Sequence, residues 1–174
     1  MNNLPTVILR AVEPEDLDFL YKIENDPDLW DVTNSNTFYS HYVLHDYVAH
    51  NNYDIYKDGQ IRWMIENNDG KTVGIIDLTN FEPRHERAEV GVVIEKKHRG
   101  KRYAMAAMYE LIKYTHEILH LHQLYSIINI DNKNSIAIHE SVGFKKGALL
   151  KDWIWQHNGY IDSYVMQLFL KKDE

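Results

Sequence analysis

Residues 92–104 are VVIEKKHRGKRYA, and here an apolar strand pattern passes into the first turn of a long helix. Free backbone N–H groups and the helix dipole at such a junction favour a bound anion. Gly100 lets a ligand approach the backbone closely, because glycine has no side chain. The neighbouring residues add positive charge to an acidic chain: His98, Arg99, Lys101 and Arg102. The pattern therefore indicates either an anion site or a solvated basic turn.

Periodicity on both sides of this turn predicts the other elements. Four segments have helical spacing: residues 14–25, the segment after Ser40, and residues 101–119 and 134–141. Seven have strand patterns: residues 6–12, 60–66, 71–81, 87–95, 123–130, 146–156 and 160–170. The order β-α-α-β-β-β-α-β-α-β-β predicts an α/β fold with one mixed, mostly antiparallel central sheet and helices on its faces. The fourth and fifth strands should be parallel, joined by a right-handed crossover.

Three local features carry further predictions. Residues 26–39 are predicted to form a polar loop that contains Trp30 and Phe38. Ser40 is expected to cap the second helix. One face of that helix should carry Val43, Tyr47 and Val48. Gly91, inside a strand pattern, indicates a bulge or a close backbone approach.

Composition limits the possible functions. The chain has 174 residues, 44% of them hydrophobic, so we expect a single domain over residues 1–174 with a sizeable core. Cysteine is absent, which excludes disulfides, thiolate zinc sites and a cysteine nucleophile, and fits a reducing, cytoplasmic location. The formal charge of −7 argues against a nucleic-acid partner and suits a cationic substrate or simple solubility. No apolar run approaches ~18 residues, so no membrane partner is expected.

The basic turn resembles the pyrophosphate loop of the GNAT acyl-CoA N-acetyltransferases. That loop has Gln or Arg at its first position and Gly or Ala at its fourth and sixth; here Arg99 matches the first and Ala104 the last. Arg102 stands where the family usually has Gly, and since a guanidinium suits phosphate geometry we expect altered rather than abolished affinity for coenzyme A. The resemblance implies a GNAT-like fold, with acetyl-CoA as co-substrate. In this part of the chain it would be held by Val92, Val93, Ile94, Arg99, Gly100, Lys101, Arg102, Tyr103 and Ala104.

Residues 132–144, NKNSIAIHESVGF, resemble the second signature of the same family. The resemblance implies that Asn132, Ser135 and His139 also contact the coenzyme, and that the closing Gly-Phe packs the helix onto the sheet. Many relatives have Tyr where this chain has His139. The alternative for His139 is a partly buried helical histidine bonded to a neighbour.

The implied reaction moves an acetyl group from acetyl-CoA directly to an amine, without a covalent enzyme intermediate. Glu89, on the fourth strand, is the predicted base and attracts a cationic amine; otherwise it is an ordinary exposed carboxylate. Backbone N–H groups of Val92, Val93 or Ile94, freed by a bulge near Gly91, would polarise the carbonyl. His139 would protonate the departing thiolate, directly or through water. No metal is expected, because no carboxylate completes the set His116, His120 and His122.

The acceptor is predicted less directly. The opening LRAVEPEDL, residues 9–17, resembles the branch with polyamine and ribosomal-protein N-terminal acetyltransferases, while phosphinothricin-type enzymes share the serine-to-histidine helix pattern. A small polyamine or diamine is the leading acceptor, and the alternatives are a protein N-terminus, an aminoglycoside-type amine or a non-catalytic acyl-CoA-binding module. Four aromatic residues could line a slot, although simple packing is favoured: Trp30, Phe38, Tyr39 and Tyr42. The family also implies a homodimer or higher homo-oligomer.

Overall fold

Seven strands pair side by side in a computed structural model that describes residues 4–33, 37–50, 53–156 and 158–170. The strands are β1 Val7–Arg10, β2 Ile61–Asn67, β3 Thr72–Glu82, β4 Arg87–Ile94, β5 Gln123–Asn129, β6 Lys145–Gln156 and β7 Gly159–Phe169. The helices are α1 Leu17–Glu24, α2 Pro27–Thr33, α3 His41–His50, α4 Ile55–Asp58, α5 Tyr103–Glu117 and α6 Lys133–Ser141.

The sheet has the strand order β1-β2-β3-β4-β5-β7-β6. Every neighbouring pair is antiparallel except β4 and β5, which are parallel and joined through α5. The predicted mixed sheet and its parallel pair are therefore confirmed. Among the described residues, no helix is both long and apolar enough to cross a bilayer.

Two helices lie where none was predicted. Helix α2 occupies the first half of the predicted polar loop, because Pro27 fits a first helical turn and Asp26 Oδ1 accepts the N–H of Asp28 at 3.0 Å. Leu29 of this helix is buried. Helix α4 is a single turn capped by the side chain of Asp54. Residues 34–36 of the predicted loop lie outside the described residues.

The predicted cap of α3 is confirmed, but one residue of its predicted apolar face is exposed. Ser40 Oγ accepts the N–H of Val43 at 3.2 Å. Leu44 is the buried residue of this helix, whereas Val43 is exposed. Tyr47 and Val48 lie three and four residues after Leu44, and Val48 packs in the same apolar layer, so only Val43 was misplaced.

The bulge predicted at Gly91 was misplaced. The β3–β4 register runs without interruption through Asp77↔Gly91, and the irregularity lies instead between Thr79 and Glu82 on β3. Asn80, inside this irregular stretch, has a φ of 47°. The extra residue is thus on β3 and turns the Asn80 side chain towards β4.

The sheet separates two apolar layers. One packs α5 against residues such as Ile76, Ala88 and Leu124, and the other packs α1 and α3 against Met64 and Ile75. Side chains alternate between the faces of a strand. Glu89, Gly91 and Val93 therefore face α1 and α3, while Val90 and Val92 face α5.

Candidate active site

A gap opens where β4 and β5 part. Their parallel pairing ends at Glu89↔Tyr125, although β4 continues to Ile94. Glu95 donates its N–H to the carbonyl of Val73 on β3 at 2.9 Å. Alternate residues of an antiparallel ladder direct their N–H groups to the same neighbour, so the N–H groups of Val92 and Ile94 face the gap.

The three predicted carbonyl-polarising residues are therefore not equivalent. Val93 pairs with Ile75 in the alternate register, which directs its N–H towards β3. The groups facing the gap are free because the two strands part there, and not because of a bulge near Gly91.

The basic turn leads directly into α5. Gly100 has a φ of 76°, and a Cβ placed on it would meet no other atom within 4 Å. Arg102, the residue before the helix, has a φ of 65° in the left-handed region that favours glycine. This conformation explains why glycine suits the position. Lys101 and Arg102 are exposed, and the N–H groups at Tyr103 and Ala104 begin the helix.

Buried Glu95 anchors the turn to the sheet. This carboxylate is 3% exposed, and its Oε1 lies 2.5 Å from Lys22 Nζ on α1. Its Oε2 lies 3.1 Å from Lys97 Nζ and 3.6 Å from His98 Nε2. Burial raises the pKa of the Glu95 carboxyl, but hydrogen bonds from Lys22 and Lys97 bring it below its ordinary value. Arg99 also folds back, donating from Nε to the carbonyl of Ile94 at 3.0 Å.

The second motif forms the N-terminus of α6. Asn132 caps the helix, its side-chain oxygen accepting the N–H of Ser135 at 3.0 Å. Phe144, after the turn at Gly143, is buried in the α5 layer. The motif therefore packs α6 onto the sheet, and the coenzyme contacts expected of Asn132 and Ser135 stay predictions.

His139 is buried at the start of the gap, with an exposure of 2%. Its Nδ1 lies 2.8 Å from the carbonyl of Ser135, and its Nε2 lies 2.9 Å from Ser126 Oγ on β5. Burial lowers the pKa of the His139 imidazole, and the bond to Ser135 opposes this only in part. A proton leaving this ring on the gap side would meet the Ser126 hydroxyl first.

Glu89 lies on the opposite face, beside the last β4–β5 pair. Asn80 Nδ2 donates to Glu89 Oε2 at 2.7 Å. Asn80 also lies close to the hydroxyl of Tyr125, whose pKa is raised by burial and by the charge of Glu89. The irregularity on β3 is therefore part of the site, because it positions the Asn80 amide that orients Glu89, the predicted base.

A cavity of about 240 Å³ lies beside this cluster, between α1, α3 and the β2–β3 hairpin. Arg62 in its wall forms two 2.8 Å bonds with Asp77 and a further bond with Glu24. Burial alone lowers the pKa of Arg62, but these two carboxylates raise it well above its ordinary value. Thr79, the register partner of Glu89, also lines the cavity.

The four aromatic residues that could line a slot lie in different environments. Tyr39 lines the cavity. The rings of Trp30 and Phe38 pack edge to face with centroids 4.8 Å apart, and Tyr42 is largely exposed. Packing therefore accounts for two of the four residues, and one lies where a ligand can meet it.

Five polar residues of the site were missed: Glu24, Arg62, Asp77, Asn80 and Ser126. A signal existed for one of these positions, since Ser126 is a polar residue between the inward-facing Leu124 and Ile128. The pairing of Arg62 with Asp77 could not be counted from the hairpin turn, because the register shifts between Ile65 and Glu66. Asn80 gave no comparable signal, since the bulge that positions it depends on pairing with β4.

Within the described residues, no three His, Asp or Glu side chains come together as a metal-binding set. The expectation that the reaction needs no metal stays a prediction.

Comparison with known proteins identifies the family. The model of the acetyltransferase (GNAT) domain matches residues 6–145. Spermidine N(1)-acetyltransferase of Escherichia coli (strain K12) is 27% identical over 155 residues, covering 88% of this chain and 81% of the relative. The spermidine N-acetyltransferase of Vibrio cholerae, solved in complex with CoA and spermine, gives a TM-score of 0.85 at 23% identity over 94% of this chain and 95% of that chain. Its dodecameric structure in an intermediate state gives 0.78 at 24% identity over 94% and 93%. The predicted fold is confirmed, while a single domain over residues 1–174 stays a prediction.

Proposed function

Because the chain belongs to the GNAT acetyltransferase family, its reaction is acetyl transfer, and we propose that the acceptor is a primary amine of a small polyamine or diamine. The family implies acetyl-CoA as the acetyl donor. Membership of this family also favours an enzyme over the alternative of a non-catalytic acyl-CoA-binding module.

The excess negative charge at the cavity and its border carries this proposal. Glu24, Asp77 and Glu89 bring three carboxylates to the cavity and its border, against the single guanidinium of Arg62. Arg62 occupies oxygens of both Asp77 and Glu24, yet the group keeps an excess negative charge. A cation in a partly closed, acidic cavity is attracted more strongly than in water. A diamine or polyamine has a second cation for this cavity while its reacting amine lies beside Glu89.

The acceptor must lose a proton before it attacks. An alkyl amine has a pKa near ~10.4, so only about one molecule in a few thousand is neutral at pH 7, which costs roughly 4–5 kcal/mol. Glu89 is the proposed base, directly or through one water. Its bond from Asn80 leaves the second carboxylate oxygen available, and that oxygen can receive the proton.

The gap fits the acetyl donor. The N–H groups of Val92 and Ile94 can receive a carbonyl oxygen on which negative charge develops. The N-terminus of α5 and the basic residues around Gly100 can receive phosphate groups. His139 is proposed to supply the proton for the thiolate, and its burial makes the protonated ring a readier donor.

An assay of CoA thiol release tests the acceptor. Spermidine, putrescine, a peptide with a free N-terminus and an aminoglycoside are compared with acetyl-CoA saturating. The diamine and polyamine should give the highest kcat/KM, and added salt should raise their KM through screening. Acetylation of the peptide alone would replace this proposal with the protein N-terminal alternative.

A homo-oligomer and a cytoplasmic location also stay proposals. β6 is an edge strand, and the hairpin it forms with β7 exposes Trp153, Trp155 and Tyr160 by 53%, 62% and 64%. Large exposed aromatic residues on an edge strand favour association with another chain. Light scattering on the purified protein measures the assembly, and a monomer at micromolar concentration would contradict it.

A further inference from the structure

Where β4 and β5 separate, a side chain and not the backbone makes the hydrogen bond between the two strands. After the last pair, Glu89↔Tyr125, the next carbonyl on the gap side of β4 belongs to Val90. That carbonyl accepts a hydrogen bond from Ser126 Oγ at 2.8 Å. The Ser126 hydroxyl therefore satisfies the acceptor that a continuing ladder would have bonded through a backbone N–H.

The same hydroxyl is held from the other side by α6. His139 Nε2 lies 2.9 Å from Ser126 Oγ, and His139 Nδ1 lies 2.8 Å from the carbonyl of Ser135. Ser126 is 3% exposed, and the edge of the Phe144 ring packs against the imidazole with centroids 5.0 Å apart. The groups that meet the ring from α6, β5 and the following turn are thus uncharged. A continuous chain of contacts links α6 to β4.

Counting hydrogens shows what this chain requires. Carbonyl oxygens only accept, so the Ser135 contact places a hydrogen on His139 Nδ1. When the ring is neutral, the single hydrogen of Ser126 must serve either Val90 or His139 Nε2. A proton on Nε2 would supply both contacts at once. Whether Ser126 donates its hydrogen to the Val90 carbonyl therefore depends on whether His139 Nε2 carries a proton.

We infer that Ser126 and His139 form a latch that fixes where β4 parts from β5, which makes Ser126 a positioning residue for the acetyl-CoA gap. This rests on the proposed function in one respect, namely that the gap receives the acetyl donor. Without the hydroxyl, the carbonyl of Val90 is a buried acceptor, since Val90 is 4% exposed. It would seek a donor on β5, which would narrow the gap and shift the N–H of Val92.

The test measures binding of acetyl-CoA by calorimetry, which needs no acceptor amine. Ser126→Ala should weaken binding roughly 5- to 100-fold, the range for one unpaired buried acceptor. Ser126→Thr, which keeps the hydroxyl, should bind much more tightly than Ser126→Ala. His139→Gln offers a side-chain N–H to Ser126 Oγ, which leaves the Ser126 hydrogen for Val90, and should retain more affinity than His139→Ala. Equal affinity in Ser126→Ala and the wild type would overturn the inference.

Two further measurements distinguish the latch from a general loss of stability in the Ser126 variants. A merely structural role would lower the melting temperature and the active fraction, while leaving affinity per folded molecule and the KM for the amine unchanged. If Ser126→Ala does not fold, labelled wild-type protein still decides, because NMR should show a slowly exchanging Ser126 hydroxyl hydrogen held between the Val90 carbonyl and His139 Nε2. A freely exchanging hydroxyl would contradict the latch. If no amine is acetylated although acetyl-CoA binds as described, the acceptor proposal fails and the latch stands.

Discussion

At the scale of single residues, Glu89 carries the clearest chemical prediction. Glu89→Gln keeps the shape and the Asn80 contact but removes the negative charge, so kcat/KM for spermidine near pH 7 should fall by about 10²–10⁴-fold. The loss should shrink as the pH approaches the amine pKa, because less deprotonation is then needed. A pH–rate profile from 6.5 to 9.5 measures this.

The matched control is Glu110→Gln, an exposed carboxylate on α5, which packs on the other face of the sheet. This variant should keep the wild-type profile. Parallel profiles for Glu89→Gln and the wild type would remove Glu89 from the proton path.

Gly91 gives a steric prediction on the same face. It lies between Glu89 and Val93, opposite Asp77, and a Cβ placed there would meet no other atom within 4 Å. Gly91→Ala and Gly91→Val should therefore fold at least as well as the wild type, since strands disfavour glycine. They should raise the KM for spermidine progressively, because the added atoms enter the space beside the base. Acetyl-CoA affinity should be unchanged, and an unaltered amine KM in the valine variant would contradict this.

At the scale of elements, the start of α5 should respond to charge. Gly100 has a positive φ, so any side chain there adds strain, and Gly100→Asn and Gly100→Asp form a pair of similar shape and similar tolerance of that conformation. The aspartate variant should bind acetyl-CoA at least about tenfold more weakly than the asparagine variant, because only it places a negative charge near the phosphates. Equal affinities at low salt would move the phosphate site away from this turn.

The same turn stores strain at Arg102. Because Arg102 has a φ of 65°, Arg102→Gly should raise the free energy of unfolding by about 1 kcal/mol and the melting temperature by ~2–4 °C. Arg102→Lys keeps both the charge and the strain, so its melting temperature should match the wild type. Calorimetric scans of the three proteins decide, and a glycine variant of lower stability would show that the side chain contributes more than the strain costs.

At the scale of the whole molecule, stability should fall in two stages on acidification. Burial lowers the pKa of His139, so the unfolded chain takes up its proton first and stability decreases as the pH falls below about 6.5. The carboxyls of Asp16 and Glu95 have lowered pKa values through Arg10 and Lys22, despite burial. Their contribution is present above about pH 4 and is lost as the pH falls through their folded values.

Urea unfolding between pH 8 and 3 measures both stages. His139→Gln should reduce the first stage and leave the second, and the rest of the first stage belongs to His98, whose pKa burial also lowers. Unchanged stability of the wild type between pH 7 and 5 would contradict the neutral, buried state of His139.

Local sequence patterns were enough to predict the order of the strands and long helices, the parallel pair, the basic turn and the second motif. These depend on local periodicity and on short spacings, which are set by backbone geometry over a few residues. The same reasoning failed over residues 26–39, where the helix start at Pro27 was hidden within a polar composition, and it chose Val43 over Leu44 on α3.

Which groups meet at the site depends on contacts between elements that are distant in the sequence. Ser126 and His139 are 13 residues apart and Asn80 and Glu89 are nine apart, yet each pair is joined by a hydrogen bond between different elements. The gap itself exists because β4 and β5 stop pairing after Glu89. Such contacts are set by register and packing between elements, so no pattern within a single element contains them.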